Sequence, residues 1–148
     1  MSARGLTLTT GTVILLMGLA GLFYPDRVMG LLGFTVLNTT QSAAVLGEVR
    51  ATYGGLFTVM GASVVLAALN PAGNRGRLLA IGLLWLGACG GRLLGVAVDG
   101  NPGVFGWLAV VFEGAMGSAL LLAAQRAGSP AVGEPELDRP QTAARIGV

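Results

Sequence analysis

Four long apolar segments, separated by short polar breaks, make up most of the chain. They run from about Leu6 to Phe23, from about Ser42 or Glu48 to Leu69, from Leu78 to about Val98, and from about Val104 to Ala124. A helix of about 20 apolar residues spans the hydrocarbon core of a bilayer. The pattern therefore predicts an all-α integral membrane protein with four spanning helices.

Residues that favour turns lie at each break. The first segment ends at Tyr24-Pro25-Asp26, the second at the run NPAGN (70–74), and the run DGNPG (99–103) separates the third from the fourth. Clusters of glycine, proline and asparagine mark turns, and short connections make consecutive helices antiparallel neighbours. We therefore expect residues 1–125 to form one four-helix transmembrane bundle.

Two segments lie outside the four spans. In the longer connection after the first span, Asp26 can cap a helix and the residues up to Phe34 are mostly apolar. This predicts a short helix at the membrane interface. After Gln125 the chain is polar and contains prolines, which predicts a disordered cytoplasmic tail over residues 126–148.

The arginine positions predict how the helices cross the membrane. The first span could be a cleaved signal peptide, because Arg4 precedes it, but its length and the lack of an Ala-x-Ala pattern after it favour a membrane anchor. With four retained spans, the side that holds both termini carries Arg4, Arg75, Arg77 and Arg126, and the other side carries Arg27, partly offset by Asp26, and the membrane-edge Arg50. Because basic residues are enriched in cytoplasmic segments, both termini are predicted to be cytoplasmic.

The composition agrees with a membrane protein and excludes several functions. Hydrophobic residues make up 53% of the 148 residues and charged residues only 11%, and the chain has no histidine, whereas a soluble domain carries about 25% charged residues. Cys89 is the single cysteine, which excludes an internal disulfide and a multi-cysteine metal site. The arginines are scattered and no cofactor motif is present, so we expect no cofactor, no metal and no nucleic-acid partner.

Charged residues within the spans are the first candidates for function, because a buried ion is costly in a bilayer and is usually turned inward and paired. Helix rise is about 1.5 Å per residue, which places Arg92 roughly 21 Å along the third span from its cytoplasmic end and Glu113 roughly 16 Å along the fourth. The two residues therefore lie at similar depth on neighbouring helices. We predict an ion pair between Arg92 and Glu113.

Other polar residues are predicted to extend this pair toward the outer surface. Asp99 lies two helical turns from Arg92 on the same face, while Arg50 and Tyr53 share a face of the second span and Glu48 points elsewhere unless the helix begins after it. Such a cluster either fixes the register of the bundle through salt bridges or lines a small polar cavity near the outer leaflet. Within this cluster three acids face two arginines. This favours the cavity, since one carboxylate is left for a proton, a cation or a headgroup.

Glycine spacing predicts close packing of helices, because small residues let backbones approach one another. The glycines concerned are Gly87, Gly91 and Gly95 on the third span and Gly54, Gly55 and Gly61 on the second. We interpret them as helix contacts within the bundle. A contact between two copies of the chain is the alternative for the same pattern.

Several of these positions together resemble a known family. The second span carries Gly47-Glu48-Val49-Arg50-Ala51-Thr52-Tyr53-Gly54-Gly55, with the pattern E-x-R-x-x-Y-G-G, the third carries Gly91-Arg92-Leu93-Leu94 and then Asp99-Gly100, and Glu113 is alone in the fourth. Over about Leu6 to Ala124 the chain resembles a bacterial family of small four-helix membrane proteins classed only as a domain of unknown function, similar in layout to DoxX-like proteins. The resemblance implies a multi-pass protein of the bacterial inner membrane and no established substrate.

Two classes of function remain. The favoured one is a non-catalytic membrane component, either an accessory subunit or a binder of lipid or another small molecule, which could act as a homo-oligomer or within a larger membrane complex. The alternative is an intramembrane enzyme of the isomerase or oxidoreductase type, in which Glu113 or Glu48 moves a proton. The first is favoured because no set of residues in the sequence fills named catalytic roles.

Overall fold

A computed structural model describes residues 1–33 and 39–128, with side chains described for 1–33 and 44–128. The helices are α1 (Ala3–Phe23), α2 (Pro25–Leu31), α3 (Thr39–Val49), a π-helical segment (Arg50–Leu56), α4 (Phe57–Ala67), α5 (Arg75–Asp99) and α6 (Gly103–Gly128). Because α3, the π-helical segment and α4 run on without a break, the described residues form five helices and contain no strand. The all-α prediction is confirmed.

Four of these helices are long and apolar enough to cross a membrane, as the hydrophobic pattern predicts. They are Ala3–Phe23, Ala44–Ala67, Arg75–Asp99 and Gly103–Gly128. The last one continues past Ala124, so residues 126–128, predicted to begin the disordered tail, are helical. The rest of the predicted tail lies outside the described residues.

The short helix predicted after the first span is present as α2. It begins two residues earlier than a cap at Asp26 implies, at Pro25, whose fixed φ and missing N–H suit the first turn of a helix. Asp26 therefore lies inside the first turn and does not cap the helix. Phe34, the predicted end of this segment, lies outside the described residues.

The central helix of the arrangement is α1. One side of α1 packs on the π-helical segment and α4, and another side packs on α6. The remaining long helix, α5, packs mainly on α6, while few contacts join α4 and α5. The bundle is therefore tight around α1 and open between α4 and α5.

Glycines bring α1 and the second span into backbone contact. A Cβ atom added at Gly61 would lie 2.3 Å from the backbone nitrogen of Leu15, and one at Gly18 would lie 2.3 Å from that of Thr58. A Cβ atom added at Gly54 would likewise lie 2.9 Å from the backbone nitrogen of Leu22. Side chains would hold these backbones apart, so Gly54 and Gly61 lie where α1 and the second span approach each other most closely.

The glycine ladder of α5 does not pack inside the bundle. Among the described residues nothing lies within 4 Å of a Cβ added at Gly87 or Gly91, and one at Gly95 would approach only Asp99 of the same helix. The interpretation of Gly87 and Gly91 as contacts within the bundle is therefore wrong. The α5–α6 contact instead uses Gly117, where an added Cβ would lie 2.9 Å from the carbonyl oxygen of Gly82.

The best-packed core lies at the end of the bundle that holds the N-terminus and the end of α6. Ile14, Val64, Leu78 and Leu120 have no exposed surface there. A hydrogen bond joins α6 to the N-terminus in this region, since Nη1 of Arg126 donates to the carbonyl oxygen of Met1 at 2.8 Å. The opposite end is less filled, and the candidate site lies between that end and the core.

Candidate functional site

The ion pair between α5 and α6 is the centre of the site. Nε of Arg92 donates a hydrogen bond to Oε1 of Glu113 at 2.8 Å. Glu113 is only 5% exposed, and a carboxylate removed from water needs a charged or hydrogen-bonding partner to remain ionised. The predicted pair of Arg92 and Glu113 is confirmed.

Two buried polar atoms, one on Glu113 and one on Trp85, lack a hydrogen-bond partner. Oε2 of Glu113 and Nε1 of Trp85 each have less than 1 Å² exposed and accept or donate no hydrogen bond. An unpartnered buried polar atom costs on the order of 1–3 kcal/mol, and native proteins contain few of them. Both atoms belong to residues that line open clefts, so a ligand or water could satisfy them.

Two clefts meet at the ion pair. The first, which we call the α2 cleft, has a volume of about 310 Å³ and lies between α1, α2 and the first half of α6. The second, the α5 cleft, has about 360 Å³ and lies between the second span and α5. Both are lined by the same five side chains, which we call the shared wall: Tyr53, Phe57, Trp85, Arg92 and Glu113.

Aromatic rings form a continuous row along the shared wall. The ring centroids are 5.6 Å apart for Tyr53 and Phe57, 4.8 Å for Phe57 and Trp85, and 5.5 Å for Trp85 and Phe112. Offset and edge-on contacts at these distances are the favoured geometries for aromatic rings. The row gives the ion pair an apolar surround, and among the described residues Arg92 and Glu113 are the only charged side chains that line either cleft.

The π-helical segment presents Tyr53 to the site. A π-helix bonds i to i+5 and is often found at functional sites. Here Tyr53 is half-buried beside the Arg92 guanidinium, while the next residue, Gly54, keeps its backbone contact with α1. Arg50, predicted to share a face with Tyr53, is exposed, because π-helical geometry does not follow the 3.6-residue period on which that prediction rests.

The structure brings together only part of the predicted cluster. Tyr53, Arg92 and Glu113 meet in the shared wall, but Glu48 and Asp99 are exposed, as is Arg50. Among the described residues these three make no ion pair. The described side chains also contain no group of three or more His, Cys, Asp or Glu residues that could hold a metal ion.

Sequence reasoning missed Phe57, Trp85 and Phe112. A signal for two of them was present in the spacing. Trp85 precedes Arg92 by seven residues, and Phe57 follows Tyr53 by four, so each lies on the same helix face as a residue already chosen. Phe112 had no such signal, because adjacent residues of a helix point in different directions and its position next to Glu113 did not predict that both line the α2 cleft.

Comparison with known proteins gives one match. The profile of a family described as Domain of unknown function (DUF4345) matches residues 2–124. No curated protein and no solved structure matches the chain. The likeness in layout to DoxX-like proteins stays a prediction. Since the matched residues include the core of every candidate span and the whole shared wall, the chain belongs to the DUF4345 family.

Proposed function

We propose that this protein binds a lipid or another amphiphilic small molecule, with the polar part of the ligand at the Arg92–Glu113 pair and the apolar part in the clefts. The observation that carries the proposal is the free Oε2 of Glu113, buried and unpartnered where the two clefts meet. Binding, without chemical conversion of the ligand, is enough to explain this arrangement.

The surroundings of the pair favour a binding site over a purely structural salt bridge. A salt bridge that only fixes the register of the helices needs both charges to be satisfied within the bundle. Here one carboxylate oxygen of Glu113 has no partner. Clefts of about 310 and 360 Å³ fall in the size range of small-molecule sites, which are mostly apolar with a few polar groups. The aromatic row and the single ion pair match that description.

We place the protein in the bacterial inner membrane with both termini in the cytoplasm. The side predicted to be cytoplasmic carries more arginines, and the Arg126–Met1 hydrogen bond keeps the end of α6 beside the N-terminus. In this orientation the well-packed core is in the inner half of the membrane. The clefts then open in the outer half, where a lipid of the outer leaflet can enter them.

An enzymatic role is the second candidate, and the same atom supports it. A buried carboxylate with a free oxygen next to a cleft can act as a general base or acid. The shared wall offers no second proton-transfer group besides Tyr53, so binding remains the better supported function. Glu48, the other acid considered for this role, is exposed and lines neither cleft.

Filling the α5 cleft tests the binding function. Ala88 lines this cleft, whereas Ala80 is exposed on the same helix and lines neither cleft. Native mass spectrometry of protein purified from its membranes should show a bound amphiphile in the wild type and in Ala80→Phe, and at least tenfold less of it in Ala88→Phe. Equal retention in all three proteins would contradict the proposal, and release of a chemically altered ligand would favour the enzyme.

A further inference from the structure

We infer that the ligand's polar part is an uncharged group that carries a hydroxyl, as in a long-chain alcohol or a monoacylglycerol. The inference rests on the proposed binding function and specifies the chemical class of the ligand. It follows from two properties of the shared wall, its net charge and the two polar atoms that it leaves unpartnered.

The net charge of the site excludes a charged headgroup. Arg92 and Glu113 neutralise each other at 2.8 Å, and no other charged side chain in the described part of the chain lines either cleft. A phosphate, carboxylate or ammonium group would bring one more charge into an apolar cleft without a counter-charge, which is strongly unfavourable. A neutral headgroup avoids this cost and leaves the ion pair intact.

The two unpartnered atoms have opposite hydrogen-bonding character. An ionised Glu113 Oε2 can only accept, and the indole Nε1 of Trp85 can only donate. A hydroxyl group is the smallest uncharged group that does both, since it donates one hydrogen bond and accepts others. A methyl ether lacks the donor for Glu113 and would leave that oxygen unpartnered.

A ligand can reach Oε2 of Glu113 and Nε1 of Trp85 only if a side chain of the shared wall moves. Neither atom has as much as 1 Å² exposed, so a hydroxyl reaches them only when a neighbouring side chain turns aside. We assign this movement to Phe57, because it is half-buried, lines both clefts and stacks 4.8 Å from the Trp85 ring. Its rotation would let the hydroxyl enter while the alkyl chain stays in a cleft.

Three probes with the same alkyl chain test the headgroup. Oleyl alcohol, oleyl methyl ether and oleyl sulfate would each be titrated into the full-length protein in detergent, with the bound fraction measured by native mass spectrometry. The alcohol should bind about tenfold more tightly than the ether, the difference expected for one hydrogen bond to a charged acceptor. The sulfate should bind more weakly than the alcohol.

Two tryptophan variants separate the hydrogen bond from general packing. Trp85→Phe removes the buried donor and should reduce about fivefold the preference for the alcohol over a fourth probe, an alkane of the same length, which the control variant should also bind as the wild type does. Trp107→Phe is the matched control, because Trp107 lines neither cleft and its Nε1 already donates to Oδ1 of Asn101. It should bind all three probes as the wild type does.

The outcomes distinguish this inference from the function on which it rests. If the ether or the sulfate binds as tightly as the alcohol, and Ala88→Phe abolishes that binding, the protein binds amphiphiles but the hydroxyl preference is wrong. If no probe binds and no native amphiphile is retained, the binding function itself fails. An effect of Trp107→Phe equal to that of Trp85→Phe would also overturn the inference.

Discussion

Arg92 and Glu113 depend on each other unequally. The Glu113 side chain is 7% exposed and that of Arg92 is 35% exposed. Without Arg92, Glu113 would be a buried carboxylate with no counter-charge, whereas without the Glu113 charge the guanidinium still reaches open space through the clefts. Long arginine side chains can move their charge toward water in this way. Loss of the arginine should therefore be the more damaging change.

A double-mutant cycle measures this dependence. Arg92→Ala should lower the free energy of unfolding by several kcal/mol, near the lower end of the ~3–5 kcal/mol seen when one partner of a buried pair is removed. Glu113→Gln in the same chain should restore part of that loss, because the uncompensated charge is gone. Thermal unfolding of the detergent-solubilised proteins gives the comparison.

Arg77→Ala is the control for the loss of an arginine from α5, since Arg77 is exposed and should change the melting temperature little. If the effects of Arg92→Ala and Glu113→Gln simply add, the two residues do not interact energetically. The ion pair would then contribute nothing to stability.

The ion pair was predictable because it depends only on helix rise and on the order of the helices. The two unpartnered atoms were not. Whether Nε1 of Trp85 has a partner depends on which side chains surround it across helices, and no local spacing specifies that. For the same reason the exposure of Glu48 and Asp99 could not be foreseen. Asp99 is the last residue of α5, and Glu48 lies just before the π-helical segment, so neither position follows a regular α-helical face into the bundle.

Among the helices, the contact between α1 and the second span should be the most sensitive to added volume. Gly61→Ala would place a methyl group 2.3 Å from the backbone nitrogen of Leu15, so the helices must separate. We expect a loss of about 1–3 kcal/mol, the usual cost of overpacking a core. The melting temperature of the purified protein measures it.

Gly91→Ala is the matched control, because nothing among the described residues lies within 4 Å of the added methyl group. Alanine also favours a helix by up to about 1 kcal/mol over glycine, so Gly91→Ala should be neutral or stabilising. A loss in Gly91→Ala as large as that in Gly61→Ala would show that Gly91 makes a contact in the membrane, such as one with a second copy.

The pattern of apolar residues predicted the spans well but not their internal geometry. Helix ends follow from proline, glycine and asparagine, which act locally, and most bounds agree with the structure. The π-helical segment Arg50–Leu56 has no such signal, since its sequence reads equally well as an α-helix. The close contacts that α1 glycines such as Gly18 make with the second span were missed for a related reason. Every span is rich in glycine, and only the three-dimensional arrangement decides which glycines face a neighbour.

At the scale of the whole molecule, the two ends of the bundle differ. The end that holds the N-terminus contains the fully buried core and a hydrogen bond from Arg126 near the end of α6 to Met1. Toward the other end, the two clefts open between the helices. A bundle closed at one end and open toward the other suits a protein that takes a ligand from one leaflet.

The orientation of the chain decides which leaflet that is. We expect a cysteine in place of Asp26 to react with a membrane-impermeant maleimide in intact bacterial cells, and one in place of Ala72 to react only after permeabilisation. Both variants are made in a Cys89→Ala chain, and both positions are exposed. Asp26 lies on α2, which lines the α2 cleft through other residues, while Ala72 lies between α4 and α5 at the well-packed end. The reverse labelling pattern would place the clefts in the inner leaflet. The ligand would then have to come from the cytoplasmic side. That pattern would also show that the arginine bias does not set the topology of this chain.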